Sequence, residues 1–360
     1  MSDALRRDDA IKARVGQKIA AKAGSHVWGH VQTLSEMVGG IVGSRHTQLP
    51  RIADAATCRG AQRESQIKRY TRWLHNQSIE YERYYSPFAA EVIERLSARG
   101  ELILIIDGSP VGRGCQALMV SVVYETRALP LAWLVRAGTK GHFTQAQHCA
   151  LIQQVQTLIP PQVQVTLLGD GEFDGGAWLV ALEALGWSFV CRTAHNRHLT
   201  HPDLGTFRFN QIIMLPDQAF YATPVTLTHP QSGTYLALAL WESGYAHPLF
   251  LLTNLPDSQA AAALYRLRFR IETFFADQKR RGFHLHLSHL ASPSALARLL
   301  IPACLAYLWI VFLGSLASRP PWRSLLHRSH RSDLSLFQLG FTFLALCLKR
   351  DFPLLVAFSP

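Results

Sequence analysis

The stretch LYRLRFRIETFFADQKRRGFH, residues 264–284, combines six basic residues with two acidic ones and still carries an apolar stripe. A helix turns by about 100° per residue, so one acid and three other polar groups fall within an arc of about 60°: Tyr265, Arg268, Glu272 and Lys279. The stripe beside that arc predicts packing on a sheet, and it consists of Leu264, Leu267, Ile271 and Phe274. The opposite side, which we expect to face water, holds Arg266, Arg270, Thr273 and Asp277.

Glu272 therefore lies at the edge of the predicted buried stripe. A buried acid is unstable alone, but a divalent metal ion would stabilise it, and basic groups on the same face would bind phosphates beside that ion. An ordinary amphipathic helix with an Arg268–Glu272 pair explains two of the four aligned groups. Both interpretations stay open on this stretch alone.

The residues before this helix alternate between strand and helix patterns. Apolar runs predict three antiparallel strands in succession, at residues 101–108, 115–126 and 128–138. Predicted helices then alternate with strands, giving a helix at 142–159, a strand at 163–173, a helix at 175–185 and a strand at 187–193. This order is that of a ribonuclease-H-like mixed sheet, so we predict an α/β core of this type. Residues 196–254 are rich in strand patterns and predict a β-rich insertion before the long helix, which Asp257 or Ser258 would cap.

Two of the predicted strands end in an acid, at Asp107 and Asp170. A single aspartate at a strand end is more often a turn or cap residue. Two of them on neighbouring strands are a candidate site, because sites in α/β sheets are built at strand ends. Glu272 would supply a third acid.

Composition favours an anionic partner. The 360 residues carry a formal net charge of +11, with 48% hydrophobic residues, which predicts a folded basic protein. Nucleic acid is the first candidate partner and an anionic membrane surface the second, and a basic protein with no nucleic-acid role is the alternative. Residues 1–99 read as a helical DNA-binding region, with Arg69 and Arg72 among its candidate DNA contacts. A solvated basic helix is the alternative for that segment. We predict a catalytic core at residues 100–290, with its insertion at about 196–254, and a helical region at 291–360.

Cysteine spacing and the first residues bear on the compartment. The six cysteines form no C-x-x-C pair, and the start of the chain has no apolar core typical of a signal peptide. Free thiols without an export signal predict a cytoplasmic protein. Residues 299–317 carry no charge and could span a bilayer, but we favour a buried core helix because charged residues flank the stretch and no second span follows.

The spacing Tyr265-x2-Arg268-x3-Glu272-x6-Lys279 resembles the Tyr-Arg-Glu-Lys signature of DDE transposases of the insertion-sequence-4 group. IIDGSP and LLGDGEFDG resemble the blocks of the first and second aspartate in that family, and AGTKGHFTQ is similar to a loop before the first core helix. The resemblance covers residues 35–320. It implies a ribonuclease-H-like core with a β-rich insertion.

By this resemblance, Asp107, Asp170 and Glu272 bind two Mg²⁺ ions, with Mn²⁺ able to substitute. Tyr265, Arg268 and Lys279 are similar to groups that hold phosphates near the transposon end. The implied protein is an endonuclease that cuts terminal inverted repeats and joins them to target DNA, as a homodimer and without a membrane. Three carboxylates suit this chemistry, because two metals can activate the attacking oxygen and stabilise the leaving oxygen.

Two alternatives to an active transposase stay open. One is a catalytically inactive DNA-binding protein of transposase descent, and the other is a ribonuclease-H-like nuclease without strand transfer. His284, His286 and His289 could bind a transition metal, but surface or phosphate-contacting roles are favoured because no acid or cysteine lies near them in sequence.

Overall fold

The computed structural model describes residues 2–20, 27–57, 62–138, 143–228, 233–326 and 334–360. Helices dominate the chain before the first strand, as α1 (Asp3–Ala20), α2 (Val27–Ser44), α3 (Leu49–Ala55), α4 (Arg63–His75), α5 (Tyr81–Tyr84) and α6 (Ser86–Leu96). The middle begins with β1 (Glu101–Val111), β2 (Cys115–Tyr124), β3 (Arg127–Ala137), α7 (Gln145–Gln156), β4 (Gln164–Gly169), α8 (Gly176–Ala184) and β5 (Ser188–Arg192).

The remaining elements are short strands followed by helices. The strands are β6 (Leu199–His201), β7 (Gly205–Phe207), β8 (Gln218–Val225), β9 (Tyr235–Trp241) and β10 (Leu249–Thr253). The helices are α9 (Ser258–Arg266), α10 (Phe269–Gln278), α11 (Pro293–Ala317), α12 (Trp322–Leu326) and α13 (Leu336–Lys349). The predicted loop AGTKGHFTQ lies partly outside the described residues.

One eight-stranded mixed sheet forms the core, in the order β3-β2-β1-β4-β5-β10-β9-β8. The first three strands are antiparallel, while β1, β4 and β5 run parallel to one another. The near-continuous burial of β1 and β2 follows from their unbroken apolar sequences, which suit strands covered on both faces. This arrangement confirms the predicted α/β fold with a ribonuclease-H-like mixed sheet.

The β-rich insertion extends the same sheet. Strand β10 pairs antiparallel with β5, and β9 and β8 follow outward, while β6 and β7 form a separate two-stranded sheet. Helical regions flank the sheet in sequence, as predicted. The domain bounds 1–99, 100–290 and 291–360 stay a prediction.

The predicted long helix is broken in two. Asp257 caps α9 by accepting hydrogen bonds from the backbone N–H groups of Gln259 and Ala260, at 2.8 and 3.3 Å. Between α9 and α10 the backbone bonds connect residues three apart, such as Arg268 N–H to the Tyr265 carbonyl at 3.0 Å. Such tighter turns advance by about 120° per residue, so positions beyond them rotate relative to a regular helix.

This rotation overturns one expectation about the helix faces. Asp277 does not face water: it is 3% exposed and pairs with Arg127 of β3 at 3.3 Å. Burial raises the pKa of its carboxyl to about 6, against the lowering effect of Arg127 and Arg281. Phe269, by contrast, is half exposed.

Helix α11 is central to the packing. It is long and apolar enough to cross a membrane, but 89% of its most apolar stretch is buried within the fold. It begins at Pro293, capped by Ser292, and Pro302 lies inside the helix. Arg298 of this helix donates to the carbonyls of Ile79 and Leu74, both at 3.1 Å, and so connects it to the N-terminal helices.

Candidate active site

The register between β1 and β4 places two acids side by side. The last parallel pair joins Ile106 to Gly169, and Asp107 and Asp170 are the next residue on each strand. Asp170 therefore follows the end of β4 as predicted. Asp107 does not end its strand, because β1 continues to Val111 in pairing with β2, and the site lies where β1 leaves β4 and not where β1 stops.

Local hydrogen bonds fix both carboxylates. Asp107 is 6% exposed, and its Oδ1 accepts from the Gly108 N–H at 2.7 Å. Asp170 Oδ1 accepts from the Glu172 N–H at 2.9 Å, in the turn that follows β4. Each side chain is thus held by the backbone that follows it, which limits its rotation.

Glu272 approaches from the first turn of α10. Its side chain is 50% exposed, so it retains the freedom to rotate that the two aspartates lack. An acid in the first turn is stabilised by the helix dipole. Asp107, Asp170 and Glu272 together line one open cavity of about 780 Å³.

Arg268 connects two of these acids. Its Nη1 donates to Asp107 Oδ2 at 3.3 Å, and its Nη2 donates to Glu272 Oε1 at 2.8 Å. Burial opposes its charge, but Tyr265, Asp107 and Glu272 outweigh burial and raise the pKa of the guanidinium. The Arg268–Glu272 pair expected of an ordinary amphipathic helix is therefore present, but the buried Arg268 also contacts a second acid, Asp107.

Lys279 and Tyr265 lie on either side of this contact. Lys279 Nζ donates to Ser109 Oγ at 2.5 Å, and burial lowers the pKa of its ammonium to about 8 although Asp107 opposes the shift. Burial raises the pKa of the Tyr265 hydroxyl to about 12. The Tyr265 ring lies 5.7 Å from the Arg268 guanidinium and lines a smaller cavity next to the first.

The donor set suits hard divalent cations. Three carboxylates around one cavity are the oxygen ligands that Mg²⁺ and Mn²⁺ prefer. In the part of the chain that the structure describes, no three His, Cys, Asp or Glu groups already lie close enough to share one ion. Arg268 contacts one oxygen of Asp107 and one of Glu272. The half-exposed Glu272 side chain can turn towards the aspartates, so the residues fit the ions.

The cavity also contains residues that sequence patterns did not single out. Arg192, His195 and His247 line it, together with Ser109 of β1. Arg192 ends the apolar strand β5 beside β4, and this position at a strand end is a sequence signal that could have identified it as a site residue. His247 belongs to the insertion and His195 directly precedes it. No local pattern indicates that the insertion returns to the sheet.

The acids near Asp170 have other contacts. Asp174 accepts from Thr193 Oγ1 at 2.7 Å and pairs with Arg197 at 3.0 Å. Neither Glu172 nor Asp174 lines the cavity. Asp170 is therefore the acid of this loop that faces the candidate site.

The candidate DNA contacts on α4 differ in their surroundings. Arg69 forms an ion pair with Glu36 of α2 and is partly exposed. Arg72 is exposed, and its Nε donates to the Lys68 carbonyl at 3.3 Å. Their role in binding DNA stays a prediction.

A buried histidine supports the Asp170 loop and predicts a pH effect on stability. His148 packs on Phe173 and Trp178, with ring centroids 4.8 and 5.6 Å away. Neither ring nitrogen has a hydrogen-bond partner among the described residues. Burial lowers the pKa of the imidazole to about 4, against a smaller raising effect of Asp170, so the folded state favours the neutral ring.

We expect the unfolding free energy of His148→Leu to fall less than that of wild type when the pH is lowered. Because the pKa of His148 is lower in the folded state than in the unfolded state, its contribution to stability is present above about pH 6.5 and is lost as the pH falls to about 4. The contribution lost is at most about 3 kcal/mol of unfolding free energy. Urea unfolding at both pH values measures this, with the exposed His198→Leu as control. Asp277, whose pKa is raised, acts in the opposite sense but equally in all variants. Equal pH slopes for His148→Leu and wild type would contradict the prediction.

Comparison with known proteins adds the family. Residues 98–309 match the family described as "Transposase DDE domain", which is more than half of the 360-residue chain. Among curated proteins, none matches. Among solved structures, the chain is similar to a piggyBac transposase synaptic complex with hairpin DNA. That match has 10% identity and a TM-score of 0.45, and it covers 99% of this chain and 82% of that one.

Proposed function

This chain belongs to the transposase DDE domain family, and we propose that it is the transposase of a bacterial insertion sequence of the insertion-sequence-4 group. It would hydrolyse the phosphodiester at the ends of its element and join the freed 3′-hydroxyl to target DNA. The observation that carries this proposal is the convergence of Asp107, Asp170 and Glu272 on one cavity, with Arg268 between two of them.

The three acids would hold two Mg²⁺ ions, with Mn²⁺ able to substitute. Bound there, the ions would activate the attacking oxygen and neutralise charge on the leaving oxygen. Asp107 and Asp170 are suited to a fixed role, because backbone N–H groups hold them. Glu272 is suited to closing the site, because its side chain is half exposed.

Tyr265, Arg268 and Lys279 would bind phosphates at the transposon end. Arg268 has a planar fork that can bind one phosphate through two parallel hydrogen bonds. Its present partners are two acids, so binding a phosphate would release those oxygens for the ions. The ammonium of Lys279 lies beside Ser109 at the cavity edge and would contact a neighbouring phosphate as a point charge.

DNA would be held by a wider basic surface. The net charge of +11 favours such a partner, and Arg69 and Arg72 are candidate contacts on α4. Arg69 would have to exchange Glu36 for a phosphate, whereas Arg72 would not. We further propose a homodimer that pairs two ends, acting in the cytoplasm without a membrane.

Cleavage of a duplex that carries the element's end tests the proposal. The purified full chain, given Mg²⁺, should nick that duplex at the end and then transfer it into a plasmid. Binding without cleavage would favour an inactive DNA-binding protein of transposase descent. Cleavage without joining would favour a ribonuclease-H-like nuclease.

DNA affinity should fall steeply with salt. A protein that makes about six phosphate contacts loses roughly 10³-fold in affinity between about 50 and 200 mM salt. Fluorescence anisotropy with a labelled end duplex measures the slope. Arg72→Gln should reduce the salt slope by about one, whereas Arg323→Gln, on helix α12, should leave it unchanged. A salt-independent affinity would contradict a phosphate-dominated interface.

A further inference from the structure

Four histidines from two distant parts of the chain lie together beside the candidate active site. We define the histidine cluster as His46, His284, His286 and His289. The rings of His46 and His284 stack with centroids 4.9 Å apart and an interplanar angle of 20°. The centroids of His284 and His286 are 6.0 Å apart. His46 follows α2 while the others follow α10, so the fold and not the sequence assembles the cluster.

The cluster is connected to the cavity through short contacts. The His284 backbone N–H donates to the Lys279 carbonyl at 2.9 Å. Lys279 Nζ in turn donates to Ser109 Oγ at 2.5 Å, and Ser109 lines the cavity together with Asp107. DNA that reaches the cavity along this side would therefore pass the histidine cluster.

The charged groups that act on the cluster are basic. Burial and then His284, Arg51, His286 and His289 lower the pKa of the His46 imidazole. Burial and then His284, Lys279 and Arg280 lower the pKa of His286. Arg113 contacts His289. No carboxylate is among these groups, so an approaching anion would meet no negative charge from them.

Hydrogen bonds orient the histidine donors. His46 Nδ1 accepts from the Gln48 backbone N–H at 3.2 Å. His289 Nδ1 lies 3.0 Å from Arg113 Nη2 and must accept, because a guanidinium only donates. In the neutral rings the proton is therefore on Nε2, which can donate to a ligand. His286 Nδ1 is buried and has no hydrogen-bond partner among the described residues.

Two of the four histidines have an uncommon backbone conformation. His284 and His289 have φ values of +52° and +62°, which only glycine adopts without cost. Such strain is typical of functional positions. It supports a role for these side chains beyond packing.

The chemistry favours an anion over a metal ion. Parallel stacked rings cannot direct their nitrogens at one shared ion, and Nδ1 of two of the rings is already an acceptor. The described residues contain no group of three ligands suited to a metal. Phosphate oxygens, by contrast, accept from N–H donors in any number of directions.

We propose that the histidine cluster binds phosphate groups of the DNA backbone beside the site of cleavage and takes up protons when it does so. The inference rests on the proposed function. Burial and then repulsion from neighbouring basic groups lower the pKa of the His46 and His286 imidazoles. A phosphate relieves that repulsion and favours the protonated rings, so the affinity for DNA rises as the pH falls.

The test compares DNA affinity at two pH values. Fluorescence anisotropy measures binding of a fluorescein-labelled end duplex to the full chain at about pH 7.5 and about pH 6, in the presence of a chelator. Wild type should bind about 10-fold tighter at the lower pH, which corresponds to uptake of about one proton. The double variant His284→Asn with His286→Gln should gain about 2-fold at most. Asparagine is chosen because it tolerates the left-handed backbone.

A matched control and a second duplex make the result specific. His198→Gln, an exposed histidine of the insertion, should retain the wild-type pH response. A duplex of scrambled sequence should show the same response, because a backbone contact does not read bases. Thermal melts of each variant at both pH values establish that it is folded.

The outcomes separate this inference from the proposed function. An undiminished pH response in the folded double variant overturns the inference, as does a response that the chelator removes or that only the end sequence shows. If wild type cleaves and joins DNA in any of these cases, the proposed function stays intact. If wild type does not cleave but its pH response depends on the cluster, the proposed function is wrong and the phosphate site stands. If the protein binds no duplex at all, both are wrong.

Discussion

Asp107→Asn should reduce cleavage of an end duplex by about 1,000-fold or more, which corresponds to about 4 kcal/mol of transition-state stabilisation. The substitution keeps the size of the side chain and an oxygen for the Gly108 N–H, but it removes the charge that an ion and Arg268 require. Binding of the same duplex should stay within about 2-fold, because phosphate contacts elsewhere supply the affinity. Single-turnover cleavage and anisotropy on one preparation measure the two quantities.

Two further variants make the Asp107 result specific. Asp174→Asn removes a carboxylate of the neighbouring loop that pairs with Arg197 outside the cavity, and it should cleave within a few-fold of wild type. Adding Glu272→Gln to Asp107→Asn should cost little more than either change alone, because groups that act as one unit are not additive. Wild-type rates for Asp107→Asn with Mg²⁺ would remove Asp107 from the mechanism.

Asp107→Asn weakens the buried contact with Arg268 as well as the metal site, so the effect on stability must be measured separately from the effect on cleavage. Asp107 and Arg268 are both largely buried, and removing one partner of such a pair is destabilising. Arg268 retains Glu272 at 2.8 Å in the variant, so we expect a lower melting temperature and a folded protein at about 25 °C. Retained DNA binding at that temperature assigns the lost cleavage to the site.

The sheet could be predicted from the sequence because its strands are nearly continuous apolar runs. Their chain order also predicted which strands are neighbours. The position of Asp107 within β1 could not be predicted, since the same apolar pattern runs on into the hairpin with β2. The β1–β4 register, and not a strand end, places Asp107 beside Asp170.

The helix faces show a different limit. A regular rotation of about 100° aligned Arg268 with Glu272, and that contact exists in the structure. The tight turn at Arg268 shifts the later positions, so Asp277 is buried against Arg127. The contact from Arg268 to Asp107 spans 161 residues and has no local signal. The stacking of His46 on His284 is a similar long-range contact that only the fold reveals.

Arg268→Lys should lower cleavage at the element's end by about 10-fold or more, or about 1.4 kcal/mol of lost transition-state stabilisation. In the structure the guanidinium reaches Asp107 with one nitrogen and Glu272 with the other. A single ammonium, with a shorter reach than a guanidinium, cannot hold both acids in the same way, and it cannot form two parallel hydrogen bonds to a phosphate. General duplex affinity should stay within about 2-fold, because one contact among several is altered and its charge is kept.

The design separates geometry from charge, because both lysine substitutions preserve the net charge of +11. Arg270→Lys is the matched control: Arg270 lies in α10, two residues after Arg268, but outside the active-site cavity, so the variant should cleave like wild type. If Arg268 were only one half of a solvent-exposed pair, its loss would cost about 0.3–0.5 kcal/mol of folding stability and no cleavage. Its side chain is 11% exposed, however, and two acids share it. Single-turnover rates equal to those of Arg270→Lys, with both proteins folded by thermal melt, would show that the fork has no part in the reaction. A selective fall in rate without a fall in affinity would show that Arg268 acts at the reacting phosphate.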